Sequence, residues 1–115
     1  MTPIFFYKTE AGNEPVKDWL KELNREDRKV IGDDLQTIQM GWTLGVIGEP
    51  LVKSFGGGLF ELRSSLFSNR ISRVFFCLHE AFIVLLHGFI KKTQKTPAAE
   101  LDLAKTRQKT LKTRR

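Results

Sequence analysis

Arg63 and Arg73 fall in two segments that read as neighbouring strands, and Lys91, Lys92 and Lys95 follow a third. These are the residues of the chain best suited to chemistry. Guanidinium forks and ammonium groups bind phosphate oxygens and neutralise the charge that builds on a phosphate under attack. Most of the signal lies in the run Leu85-Leu86-His87-Gly88-Phe89-Ile90-Lys91-Lys92-Thr93-Gln94-Lys95-Thr96-Pro97, an apolar strand ending in three lysines and followed by a Thr-Pro helix start. The lysines are either a solvated charge run or one wall of an anion site. Arg63, Arg70 and Arg73 on adjacent strands favour the second, because together they would make an electropositive sheet face suited to an RNA backbone.

Arg73 sits among Ile71, Val74, Phe75 and Phe76. A guanidinium in such surroundings needs a carboxylate, a carbonyl or a ligand phosphate. Glu61 on the preceding strand is the nearest candidate carboxylate, and the two roles are compatible, with Glu61 orienting an arginine that meets a phosphate. His87 is either a hydrogen-bonded core residue or an acid or base titrating near neutral pH beside the basic face. His79 reads as an exposed turn residue. The two histidines stand eight positions apart with no cysteine or acidic partner at ligand spacing, so no metal centre is expected. Gly56-Gly57-Gly58 lacks the Lys-Ser/Thr of a phosphate loop, and no nucleophile motif is present.

The elements that must position these groups follow from periodicity. Ile4 to Tyr7 reads as a first strand closed by Ala11-Gly12-Asn13. Pro15 opens a helix whose Val16, Trp19, Leu20 and Leu23 share a face, with Asn24 breaking it. A second helix is expected over 26–40, with Val30, Ile31, Leu35 and Ile38 buried and Gly41 as its stop, so the two form a helical hairpin. The stretch 41–50 holds three glycines and a proline and reads as a loop whose Trp42 and Ile47 fold back on the core. Strands are expected over 51–55, 59–65, 69–79 and 82–90, turning at the three glycines and at His79-Glu80-Ala81. Alternation places Phe60 and Leu62 on one face and Glu61 and Arg63 on the face away from the core. A last helix begins with Thr96 as N-cap; its apolar side is thin, so fraying is expected after about Lys105.

The fold class is therefore α+β in the order β-α-α-β-β-β-β-α, a sheet with an N-terminal helical hairpin and a short C-terminal helix. One domain is expected over 1–104, with 105–115 a basic tail. From Lys91 onward, nine Lys/Arg face only Glu100 and Asp102, a surplus of +7, so the net charge of +6 lies in the last 25 of the 115 residues. That balance points to nucleic acid, an anionic membrane or an acidic protein. The last segment lacks the strong apolar face of a membrane-lying helix. A lone cysteine, Cys77, excludes an intrachain disulfide. Neither a signal peptide nor a run of the ~20 apolar residues of a membrane span is apparent, and a cytoplasmic location is expected.

Taken in order, Leu59-Phe60-Glu61-Leu62-Arg63, Arg73-Val74-Phe75-Phe76, Leu85-Leu86-His87-Gly88-Phe89 and Lys91-Lys92-Thr93-Gln94-Lys95-Thr96-Pro97 resemble the phage-derived, HigB-like branch of the RelE superfamily of toxins. The likeness spans nearly the whole chain, helical hairpin included. It implies a RelE-like fold and the toxin of a type II toxin–antitoxin pair, a ribosome-dependent mRNA endoribonuclease (an mRNA interferase). Its partners would be mRNA on the ribosome and a small helix-turn-helix antitoxin, with operator DNA reached only through that antitoxin. The resemblance implies cleavage without metal or cofactor, the ribose 2′-hydroxyl being set against its own phosphate to leave a cyclic phosphate. Carried over residue by residue, Arg63 and Arg73 would contact the scissile phosphate and Lys91 and Lys92 would help to hold mRNA or ribosomal RNA, with Lys95 and the tail adding attraction to the ribosome. The residues themselves add Arg70 to the RNA-binding face and offer His87 as acid or base if its ring reaches that face; the resemblance assigns neither the acid nor the base. The chain departs from many RelE-type members in having Tyr7 as its one tyrosine, with Phe75-Phe76 where a sheet tyrosine would stand. A reading of another class is a non-catalytic RNA-binding module, or a DNA-associated partner acting only through its antitoxin.

Overall fold

A computed structural model of the chain describes residues 1–45, 47–91 and 96–114. Among them five strands form one mixed sheet: β1 (Ile4–Phe6), β2 (Val52–Gly56), β3 (Leu59–Ser65), β4 (Ile71–His79) and β5 (Phe82–Lys91), in the spatial order β1-β5-β4-β3-β2. The last four make an antiparallel meander, and β1 joins the β5 edge in parallel. Three helices cover the sheet: α1 (Pro15–Glu22), α2 (Arg25–Gly41) and α3 (Ala98–Thr113). The α+β order expected from the sequence is the order observed.

Local chemistry explains the boundaries. Pro15 occupies the first turn of α1, where its missing N–H is no loss. Asn24 ends α1 by capping its neighbour: its side-chain oxygen accepts from the Asp27 N–H at 2.8 Å, starting α2 one residue earlier than periodicity suggests. Gly56, Gly57 and Gly58 all take positive φ, which is what lets β2 turn directly into β3.

The sheet is buried on both faces. Val16 of α1 and Ile31 and Ile38 of α2 pack with Val52, Leu62, Val74, Phe76, Ile83 and Leu85 on one side, where Trp42 and Ile47 fold back as expected. On the other side Ala104, Leu101 and Leu111 of α3 pack with Leu59, Phe75, Cys77, Val84 and Leu86. The face expected to lie away from the core is thus the floor of a second core.

Helix α3 is also longer than its sequence suggests. Fraying after Lys105 is not what the structure shows, because long-range hydrogen bonds hold the last turns: Arg107 donates to the Leu86 carbonyl at 2.8 Å, Gln108 to the Gly57 carbonyl at 2.9 Å, and Arg114 to the Lys8 carbonyl. No helix among the described residues is long and apolar enough to cross a membrane.

Candidate functional site

The site is built on three adjacent strands. β3 supplies Glu61 and Arg63, β4 supplies Arg73, and β5 supplies His87, Phe89 and Lys91. Register places Arg63 directly opposite Arg73, a pairing of like charges that is unfavourable by itself. Glu61 resolves it. Its Oε1 accepts from Arg73 Nη1 at 2.7 Å and from Arg63 Nε at 3.1 Å, and its Oε2 accepts from the Thr96 hydroxyl at 3.0 Å. Glu61 is fully buried and Arg73 is 1% exposed, so the carboxylate's charge is matched by hydrogen bonds rather than by water. One buried carboxylate thus serves two guanidiniums.

The two arginines are not equivalent. Arg63 keeps 26% of its side chain exposed and lies 3.7 Å from Glu49, itself largely exposed. Both arginines line a cleft of about 490 Å³, walled by Val30 and Asp34 of α2, by Pro50 and Leu51, and by Ser65 and Ile71. The cleft offers an anion the accessible Arg63, with the buried Glu61–Arg73 pair fixing its direction. Lys91 pairs in register with Ile71, at the same end of the sheet.

His87 reaches this face through a β-bulge. Phe75 pairs with His87 and Phe76 with Leu85, so Leu86 is an extra residue in β5. Strict alternation would send Leu86 and His87 to opposite faces. The bulge turns both toward α3, where the ring stacks on Phe89 (centroids 5.8 Å apart, planes at 21°) and its Nε2 lies 3.0 Å from Glu100 Oε2. Gly88 faces the other way, against Trp19 of α1.

Arg70 is not brought to the cluster. From the turn just before β4 it makes a two-pronged pair with Asp27 of α2, at 2.6 and 3.0 Å, and also donates to the Phe67 carbonyl. Hydrogen bonds from Arg70 hold the Asp27 carboxyl below its ordinary value and raise Arg70 in turn. The pair ties β4 to the helix whose Val30 and Asp34 wall the cleft, so the visible effect of Arg70 is on the shape of that wall. Lys92 and Lys95 lie outside the described residues. His79 sits at the far hairpin, 3.8 Å from Glu80.

Two residues of the cluster were not singled out by sequence reasoning. Thr96, expected to cap α3, makes no cap bond; Pro97 takes the cap position and the Thr96 hydroxyl serves Glu61 instead. Glu100 was counted only as charge, whereas it is the hydrogen-bond partner of His87. Neither contact, 35 and 13 residues apart, has a local signature. Among the described residues no group of three or more His, Cys, Asp or Glu side chains could hold a metal ion. The assembly can bind an anion at a fixed guanidinium and places one imidazole on the same face, a diagonal cross-strand neighbour of Arg73 at about 7–8 Å between backbones.

The family described as phage derived protein Gp49-like (DUF891) matches residues 18–109 of the chain, from α1 through most of α3 and including every described side chain of the cluster. Among curated proteins, no sequence matches.

Proposed function

The chain belongs to the Gp49-like family of phage-derived proteins, a RelE/toxin-like family, and from that premise we propose that it is the toxin of a type II toxin–antitoxin pair of the HigB-like branch that cleaves mRNA on the ribosome. The observation that carries the reading is the pair of arginines on one buried carboxylate at the edge of an open cleft. A phosphate drawn into the cleft meets Arg63. Its planar fork is already oriented by Glu61, so little ordering remains when charge develops on the phosphate. Arg73 acts from behind: at 1% exposure it holds Glu61 and adds positive potential without itself being offered to solvent. Lys91 extends the attraction along the RNA backbone, and His87 is the group placed to move a proton.

Expression of the chain in a bacterium, with mRNA ends mapped on ribosomes, tests this. Growth arrest with new cuts at fixed positions within codons is expected, and Arg63→Ala should lower cutting by roughly 10²–10³-fold, the usual effect of removing one charge-stabilising donor. Intact mRNA with normal growth would leave a binding role, for RNA or for an antitoxin on DNA, as the function of the same surface.

A further inference from the structure

Glu100 lies on the first turn of α3, facing His87 across from the sheet. We propose that it is a positioning residue that fixes the ring's orientation and tautomer, so that Nδ1 is left as the proton acceptor. The pairing stands on geometry; its catalytic meaning rests on the RNA-cleavage reading above. An ionised carboxylate has acceptors only, so at the observed 3.0 Å separation Nε2 must carry the hydrogen. A neutral ring then holds its lone pair on Nδ1. Among the described residues Glu100 is the ring's one hydrogen-bond partner. The ring is held in two further ways: Phe89 stacks beneath it at 5.8 Å, and the bulge at Leu86 sets the direction in which the side chain leaves the strand.

The pair is half-buried, with 16% of His87 and 29% of Glu100 exposed, so the contact is sheltered from water while the ring keeps access to solvent. With RNA in place the proton of the ribose 2′-hydroxyl passes to Nδ1. The freed oxygen pair forms the bond to phosphorus, the P–O5′ bond breaks, and its electron pair leaves on the 5′ oxygen, which takes a proton from water. Arg63 faces the charge on the phosphate throughout. Glu100 touches no reacting atom; it keeps the imidazole from turning over and presenting its protonated nitrogen.

Two measurements on the full chain test the assignment separately. In ¹⁵N-histidine-labelled protein, His87 is expected to show a protonated Nε2 whose hydrogen exchanges slowly and resonates downfield. Glu100→Ala should abolish that protection while the amide spectrum of the sheet is kept, and Glu100→Gln, which retains an acceptor oxygen, should restore it. On ribosomes carrying a defined mRNA, Glu100→Ala should lower kcat about tenfold or more, part of the ~10²–10⁴ that a general base contributes, with KM unchanged within about twofold. The double variant with His87→Ala should be no slower than His87→Ala alone. A wild-type ring protonated on Nδ1, a slow ring proton that survives Glu100→Ala, or losses that multiply in the double variant would each overturn the proposal. If wild-type protein leaves the mRNA intact, the cleavage reading falls while the ring-proton experiment still decides the pairing.

Discussion

Gly88 lies between His87 and Phe89 in the strand that carries half the site, and its missing side chain is what allows α1 to pack there. Its φ is not positive, so space rather than backbone conformation demands glycine. A Cβ at this position would stand 2.5, 2.7 and 3.1 Å from three ring carbons of Trp19, closer than packed carbon atoms approach. The indole is a rigid plate on α1, so relief requires α1 or β5 to move. Overpacking of this kind costs about 1–3 kcal/mol. Alanine would recover roughly 0.5–1 kcal/mol by restricting the unfolded chain and suiting a strand better than glycine. The steric term wins, and Gly88→Ala should destabilise the protein by about 1–1.5 kcal/mol, a fall in Tm of roughly 5 °C for a chain of this size. Thermal melts followed by circular dichroism measure it, and Trp19→Phe in the same background should return part of the loss as a favourable coupling. A Gly88→Ala protein as stable as wild type, or strictly additive effects in the double variant, would refute the argument that Trp19 is what excludes a side chain.

Glu61→Gln removes the charge that lets Arg63 and Arg73 stand opposite each other, and breaking this buried ion pair at one partner should cost about 3–5 kcal/mol in urea unfolding; a loss under about 1 kcal/mol would refute the view that the Glu61 charge is what holds the two arginines there. The Asp27 carboxyl, held below its ordinary 3.8 by Arg70, contributes stability that is complete above that value and is lost as pH falls through the lower folded-state value. Asp27→Asn should therefore flatten the acid limb of a Tm-against-pH curve below about pH 4 and leave its slope above about pH 5 unchanged. Burial pushes the Cys77 thiol up to about 11, so almost no thiolate is present near neutral pH. Alkylation of native protein should then track global unfolding in denaturant, and rapid labelling without denaturant would contradict the buried placement.

The helical hairpin was legible because it depends on spacing alone: Val16, Trp19, Leu20 and Leu23 repeat with the helical period whatever packs on them. The meander was legible because three consecutive glycines and the alternation in β3 are local as well. Even the Glu61–Arg73 pair could be read, since consecutive antiparallel strands bring those residues within diagonal reach on one face. What sequence could not show was contact set by register irregularity or long range. An extra residue at Leu86 has no compositional mark, yet it decides that His87 faces α3. The partner of Arg70 lies 43 residues earlier, in the first turn of a helix where an acid is also explained by the helix dipole. Thr96 satisfied the local rule for an N-cap, and a buried carboxylate 35 residues away claimed its hydroxyl instead.

The same long-range contacts account for α3. Its apolar side consists of Leu101, Ala104 and Leu111, little for a helix of 16 residues, and periodicity alone argues for a frayed end. The missing attachment is polar and runs the length of the helix. Thr96 and Glu100 bind Glu61 and His87 at one end, Arg107 and Gln108 bind sheet and turn carbonyls in the middle, and Arg114 reaches Lys8 at the other. At about 1 kcal/mol net for a neutral hydrogen bond, and more where a charge takes part, these contacts together rival the burial of the two leucines. The first two of them are also the contacts that arrange the site. Docking of α3 and alignment of the cluster's side chains are therefore not independent steps: with the helix end undocked, Glu61 loses a donor and His87 its carboxylate. The basic C-terminal segment, which composition presents as a loose electrostatic tail, is a helix held at a fixed place over the sheet, and the same docking that holds its last turns seats its first turn, with Glu100, against His87.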